Sequence, residues 1–199
     1  MNESDAVNEL TRPSKLWSRA EVLARPSPIP SSPGVYAWYF RELPWPMAVQ
    51  DCVEHDGSTL LYIGIAPKRP PANGRPASRQ TLRDRIRYHY SGNAEGSTLR
   101  LTLGCLLADR LGIELRRVGS GQRLTFSTGE SRLSDWMARN AFVCWVEHPQ
   151  PWELEARLIR AASLPLNLDQ NRNHQFHAKL TEVRARAKAR ARSLPVLPK

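Results

Sequence analysis

The segment from Pro151 to Ala162 (PWELEARLIRAA) constrains this chain most. Pro151 suits the first turn of a helix, where a missing N–H costs nothing. At about 100° per residue, Glu153, Arg157 and Arg160 share a solvated arc. Trp152, Leu154, Ala156, Leu158, Ile159, Ala161 and Ala162 cover a broad apolar arc, and Glu155 falls near its middle. An unpaired buried carboxylate is strongly unfavourable, so the fold has to bring Glu155 a partner. An internal arginine would be a structural solution; a metal ion or a transferred proton would be a functional one. Glu153 needs no such account, because an acidic side chain in the first turn faces the positive end of the helix.

Gln80 to Tyr90 repeats the pattern with the opposite charge. Leu82 and Ile86 mark a buried stripe, and Arg85 and His89, one turn apart, lie along it. Arg83 and Arg87 fall on another face and read as solvated cations. A guanidinium and an imidazole so placed make a phosphate clamp with a proton carrier. The alternative is an Arg85 that neutralises a buried acid, Glu155 included, and a His89 packed in the core.

Three β-branched and aromatic runs read as strands: GVYAWYF (34–40), TLLYIGI (59–65) and AFVCWVE (141–147). Alternation along the first two puts the phenols of Tyr36 and Tyr62 on one sheet face. The stretch between them reads as a long connection. Residues 66–79 form a Pro-rich basic loop. Ser97 to Leu111 reads as one helix, 114–118 and 123–127 as a hairpin around Gly119-Ser120-Gly121-Gln122, 131–139 as a short helix and 173–192 as a final helix with a frayed end at 195–199. Trp38, Trp136, Trp145 and Trp152 occupy core-like positions. Trp45, between Pro44 and Pro46, is the exception, either an exposed stacking group or a loop anchor. His174 and His177 read as surface residues or nucleic-acid contacts.

The 199 residues carry 29 Lys+Arg against 19 Asp+Glu, a net charge of +10. The excess is localised: residues 66–90 hold seven basic and one acidic, and residues 172–199 hold eight and one. The remainder is slightly acidic. Two cationic segments on a near-neutral body indicate a polyanionic partner. No apolar run is long enough to span a membrane, and residues 1–10 lack the apolar stretch of a secretion signal. Cys52, Cys105 and Cys144 are far apart and odd in number, which fits a reducing cytosol and excludes a disulfide framework or cysteine zinc site. Three parts are expected: an N-terminal lead-in (1–33), a main domain (34–171) and a basic tail (172–199).

Taken in order, these residues resemble the GIY-YIG endonucleases. Gly34-Val35-Tyr36 stands for the first tripeptide and Tyr62-Ile63-Gly64 matches the second. Leu82-x-x-Arg85-Ile86-x-x-His89 is similar to the helix with the family's essential arginine. Glu155-x-x-Leu158-Ile159 followed by Pro165-x-Asn167 is similar to its metal-binding glutamate and later asparagine. Val35 replaces isoleucine, the connections from Tyr36 to Tyr62 and from Tyr62 to Arg85 are long, and 113–139 is an extra excursion, as in elaborated restriction-type members. The resemblance implies an α+β module: a central three-stranded antiparallel sheet flanked by helices, with a β-hairpin excursion and a basic C-terminal helix. It implies catalytic roles for Tyr36, Tyr62, Arg85, His89, Glu155 and Asn167, and one Mg²⁺ or Mn²⁺ held by Glu155. One carboxylate with phosphate oxygens and waters is a normal Mg²⁺ shell. Tyr36 is favoured over Tyr62 to take the proton of the attacking water, with Arg85 on the phosphate and His89 donating to it or assisting proton transfer.

The expected substrate is double-stranded DNA, held further by Lys68, Arg69, Arg75, Arg79, Arg184, Arg186, Lys188 and Arg190. The competing reading keeps the fold as an inactive nucleic-acid-binding module. One site cuts one strand, so a double-strand break implies a homodimer or sequential nicking. Removing the tail is expected to weaken DNA binding and leave the active site intact.

Overall fold

A computed structural model describes residues 3–71 and 78–198; Arg75 therefore lies outside the described residues. The elements run α1 (Glu3–Thr11), α2 (Arg19–Leu23), β1 (Gly34–Phe40), β2 (Glu54–His55), β3 (Ser58–Ala66), α3 (Leu82–Ser91), α4 (Thr98–Leu106), α5 (Ala108–Leu111), β4 (Arg116–Val118), β5 (Arg123–Thr125), α6 (Gly129–Asn140), β6 (Ala141–Glu147), α7 (Pro151–Ala161) and α8 (His177–Ser193). The α+β class is as expected from the sequence.

The main sheet is antiparallel with order β2-β3-β1-β6. It has one strand more than expected. Asp56 and Gly57, both at positive φ, close a two-residue turn that folds β2 back onto β3. β1 is central and buried along its whole length. Its alternate residues face two separate cores. Val35, Ala37 and Tyr39 pack with Leu10 of α1 and with Leu154, Leu158 and Ile159 of α7. Tyr36, Trp38 and Phe40 pack with Leu82 and Ile86 of α3, Leu99 and Leu103 of α4, Trp136 of α6 and Leu180 of α8.

Both ends of the chain are more engaged than the sequence suggests. Trp17 exchanges backbone hydrogen bonds with Val143 of β6, at 2.9 and 3.0 Å. Arg83 and Arg87 are not solvated cations: Arg83 Nε donates to the Ile29 carbonyl (2.7 Å) and Arg87 Nη1 to that of Val22 (3.0 Å). They tie the proline-rich lead-in to α3, giving carbonyls with no strand partner their donors. The end at 195–198 is not frayed, since Leu197 N–H donates to the Arg117 carbonyl (2.9 Å) and its carbonyl accepts from Gly119 (3.1 Å). Arg117 also donates to the carbonyls of Ala191 and Leu194. The expected helix at 97–111 is two, α4 and α5, the second closed by Gly112 in the left-handed conformation.

Candidate active site

α3 begins with a capping box. Thr81 accepts from the Asp84 N–H, and the Asp84 carboxylate accepts from the Thr81 N–H. Leu82, Arg85, Ile86 and His89 are all buried, the stripe the periodicity predicts. α3 packs on the face of β1 and β3 that carries Tyr36 and Tyr62. Trp38 is paired with Tyr62 and Tyr36 with Gly64, so both phenols share that face.

Gly64 has a definite steric role. A Cβ there would stand 2.5 Å from the Tyr36 hydroxyl and 2.6 Å from its Cζ. The missing side chain lets the Tyr36 ring lie across β3. We expect Gly64→Ala to displace the phenol and lower the activity of this site by about 10²-fold, on the order of what a 1 Å misplacement costs, while the protein still melts cooperatively. Wild-type rates in Gly64→Ala would refute that role.

The Tyr36 hydroxyl is 2.9 Å from His89 Nε2, and His89 Nδ1 is 2.7 Å from Ser97 Oγ. Ser97 is the N-cap of α4 and accepts the Arg100 N–H at 3.0 Å. His89 and Ser97 have no solvent exposure. Burial, with Arg85 and Arg100 adding to it, holds the imidazole well below its ordinary pKa, so it is neutral. Its tautomer is assigned from the network. With the Ser97 hydroxyl donating to Nδ1, the neutral imidazole carries its proton on Nε2, and Nε2–H points at the Tyr36 oxygen. The direct phosphate contact considered for His89 is not what this geometry offers: the ring lies behind Tyr36.

Arg85 Nη1 donates to the Gly96 carbonyl at 2.7 Å, and the guanidinium also reaches Tyr36. Burial pushes the Tyr36 phenol well above its ordinary range, Tyr62 adds to the rise, and Arg85 opposes it. Tyr62 is raised as well, chiefly by burial, against the Thr98 hydroxyl and Arg85.

These groups open onto a cleft of about 510 Å³ lined by Tyr36, Tyr62, Arg85, Glu155 and Asn167 among others. Glu155 reaches it from α7. Arg85 is not its counter-ion, and among the described residues no ion pair involves the Glu155 carboxylate; the cation whose charge reaches it is Lys68. Burial, reinforced by Asp169, lifts Glu155 to about 7. Asp169 lines the same cleft and was not singled out by the sequence, where an acid in a post-helix loop looks ordinary. A half-buried carboxylate with a second carboxylate nearby and no ion pair among the described residues fits a hydrated divalent cation, whose charge would offset both. Among the described residues no cluster of three or more His, Cys, Asp and Glu forms a full cage.

Asn167 braces the site. Its Oδ1 accepts from Ile63 N–H (2.9 Å) and its Nδ2 donates to Ile63 O (2.8 Å), as a neighbouring strand would. It holds the 164–169 loop against β3 beside Tyr62.

Lys68, Arg69 and Arg184 also line the cleft. Arg184 comes from α8, which buries Leu180, Val183 and Ala191, and its Nη1 donates to Thr102 Oγ1 of α4 (3.3 Å). Removing residues 172–199 would strip a cation from the cleft and uncover the core, so an intact site after truncation is not expected. Arg79, Arg186, Lys188 and Arg190 lie outside the cleft lining, and Arg190 pairs with Glu114. His174 is a loop brace, bonded to Ser163 Oγ (3.0 Å) and to the Phe176 N–H (3.1 Å).

In a comparison with protein families, the GIY-YIG catalytic domain matches residues 34–186. No curated protein and no solved structure matches the chain.

Proposed function

This chain belongs to the GIY-YIG family, whose catalytic domain is that of a nuclease, and from that premise we propose that it is a divalent-metal-dependent endonuclease that hydrolyses phosphodiester bonds in DNA. The observation that carries the reading is the Glu155 carboxylate, lifted to about 7 and without an ion pair among the described residues, in one cleft with Tyr36 and Arg85. Glu155, with Asp169 close by, would hold Mg²⁺ or Mn²⁺, which when bound supplies positive charge to the phosphate oxygens and the departing 3′ oxygen. Arg85 donates to the scissile phosphate, held in place by the Gly96 carbonyl. Tyr36 takes the proton of the attacking water. Its phenolate is met by two donors, Arg85, which opposes the desolvation of its buried position, and His89 Nε2–H. Tyr62 packs beside His89, with ring centroids 6.4 Å apart, and closes the other side of the cleft. Lys68, Arg69 and Arg184 draw in the DNA backbone, with Arg79, Arg186, Lys188 and Arg190 as further contacts outside the cleft lining and Arg75 as one more contact of the basic loop.

The elaborated loops favour a restriction or mobile-element enzyme over a compact repair module. Double-strand cleavage would take a homodimer or two successive nicks. The cytosol is the proposed compartment: Cys105 and Cys144 are buried free thiols, and among the described residues no helix is long and apolar enough to cross a membrane.

The test is cleavage of supercoiled and linear duplex DNA with Mg²⁺ or Mn²⁺, against EDTA, with Glu155→Ala alongside. Metal-dependent nicking lost in the variant is expected. Equal inertness of both proteins, with DNA binding retained, would leave the inactive binding module instead.

Ser97→Ala tests the proton relay. It removes the donor that sets the His89 tautomer, so cleavage should fall about 10-fold or more and the limb on which it rises with pH should move to higher pH. Loss of the cap costs about 1 kcal/mol. Nitrogen chemical shifts of His89 report the tautomer directly; an unchanged tautomer and pH profile in Ser97→Ala would exclude the relay.

A further inference from the structure

The six tryptophans separate by environment. Trp38 and Trp136 are fully buried, and Trp17, Trp45 and Trp145 pack against the larger core, Trp17 and Trp145 with ring centroids 5.3 Å apart. Trp152 belongs to neither core. It is half-buried and lines the catalytic cleft from α7, three residues before Glu155. That spacing puts both side chains on one helix face, with Cβ atoms about 5–6 Å apart. Ala156, the residue after Glu155, also lines the cleft. The protein thus places a partly buried indole on a cleft lined by charged groups, a position where a flat ligand would cover the rest of the ring.

The geometry points to Trp152 as a stacking platform for a nucleobase of the strand being cut, adjacent to the scissile phosphate. The inference rests on the nuclease reading above and narrows its substrate to a strand locally unstacked at the cleavage step. A cationic groove for the backbone combined with an aromatic ring for a base is the general device for binding single strands. Lys68, Arg69 and Arg184 provide the first part and Trp152 the second. A base inside an intact duplex has both faces covered, so it meets an indole only after leaving the stack.

The test uses full-length Glu155→Gln protein, which leaves the strand uncut, with duplexes, mismatched duplexes and single strands carrying one 2-aminopurine at successive positions. Titration should reveal one position whose fluorescence changes on binding. Adding Trp152→Ala should abolish that change and weaken binding about 5- to 150-fold, the range for one stacked base, most for mismatched and single strands. Trp152→Phe should retain most of both. Trp152→Leu, which keeps apolar volume without a ring face, should behave as alanine and decides the matter if alanine fails to fold. Binding and fluorescence unaltered by the Ala and Leu substitutions would overturn the stacking role and leave the nuclease reading standing. Failure of the parent protein to bind any of these nucleic acids would overturn both.

Discussion

Glu155→Gln will produce a protein that no longer cuts DNA and melts at a higher temperature than the wild type. The loss of cleavage should be about 10³-fold or more, because several kcal/mol of transition-state charge stabilisation would depend on the cation proposed for this carboxylate. The gain in stability follows from linkage. Burial and Asp169 raise the Glu155 pKa from 4.5 to about 7, so between these values the folded state binds more protons than the unfolded state. Stability then falls as pH rises through that window and stays low above it. The 2.5-unit difference between 7 and 4.5 corresponds to about 3 kcal/mol at pH 8. For a chain of this size that is about 6–12 °C in melting temperature. In EDTA at pH 8 the glutamine variant should therefore melt higher than wild type, and the two should converge towards pH 4.5. Divalent metal should stabilise wild type and leave Glu155→Gln unmoved. A variant less stable than wild type at pH 8 would mean that the carboxylate is solvated or paired, and the metal assignment would lose its basis.

Arg100→Ala should be the most destabilising single substitution outside the apolar cores, by about 3–5 kcal/mol. Arg100 is fully buried. Its Nε and Nη2 donate to Glu130 Oε2 at 3.0 and 2.7 Å, Nη2 also donates to the Glu130 carbonyl, and Nη1 to the His89 and Tyr90 carbonyls at the end of α3. Glu130 Oε1 in turn accepts from the Ala94 and Phe126 N–H groups. Five segments thus share one ion pair, and removal of the guanidinium strands a carboxylate and several carbonyls together. The expected drop in melting temperature is about 6–20 °C. Paired apolar replacement of Arg100 and Glu130 should not recover it, because the two N–H groups would still lack an acceptor. A loss under 1 kcal/mol in chemical denaturation would show that water replaces the pair without cost. The network also backs the site, since Arg100 grips the carbonyl of His89.

Much of the site was legible along the chain because the periodicities that place side chains are local. Alternation put Tyr36 and Tyr62 on one face, and helical spacing put Arg85 and His89 on one stripe and Glu155 on the apolar arc. The three long strands were readable as bounded apolar runs. The fourth was not, because two residues carry no periodicity and only the Asp56-Gly57 turn announces it. The tryptophans show the limit most sharply. Trp45 sits between prolines and Trp152 on an apolar arc, yet Trp45 packs on the core and Trp152 faces the cleft. An apolar arc states that a side chain leaves bulk water, not whether it meets a core or a cavity.

By itself, then, the sequence determined which residues could do chemistry and which face of each element they occupy, since both follow from rotation per residue. The tertiary structure alone decided what stands opposite them: Ser97 behind His89, the Tyr36 ring over Gly64, Asn167 against Ile63, Arg100 on Glu130, and Arg184 carried into the cleft by the final helix. Each of those partners lies on another segment, and a local period carries no information about where the chain returns.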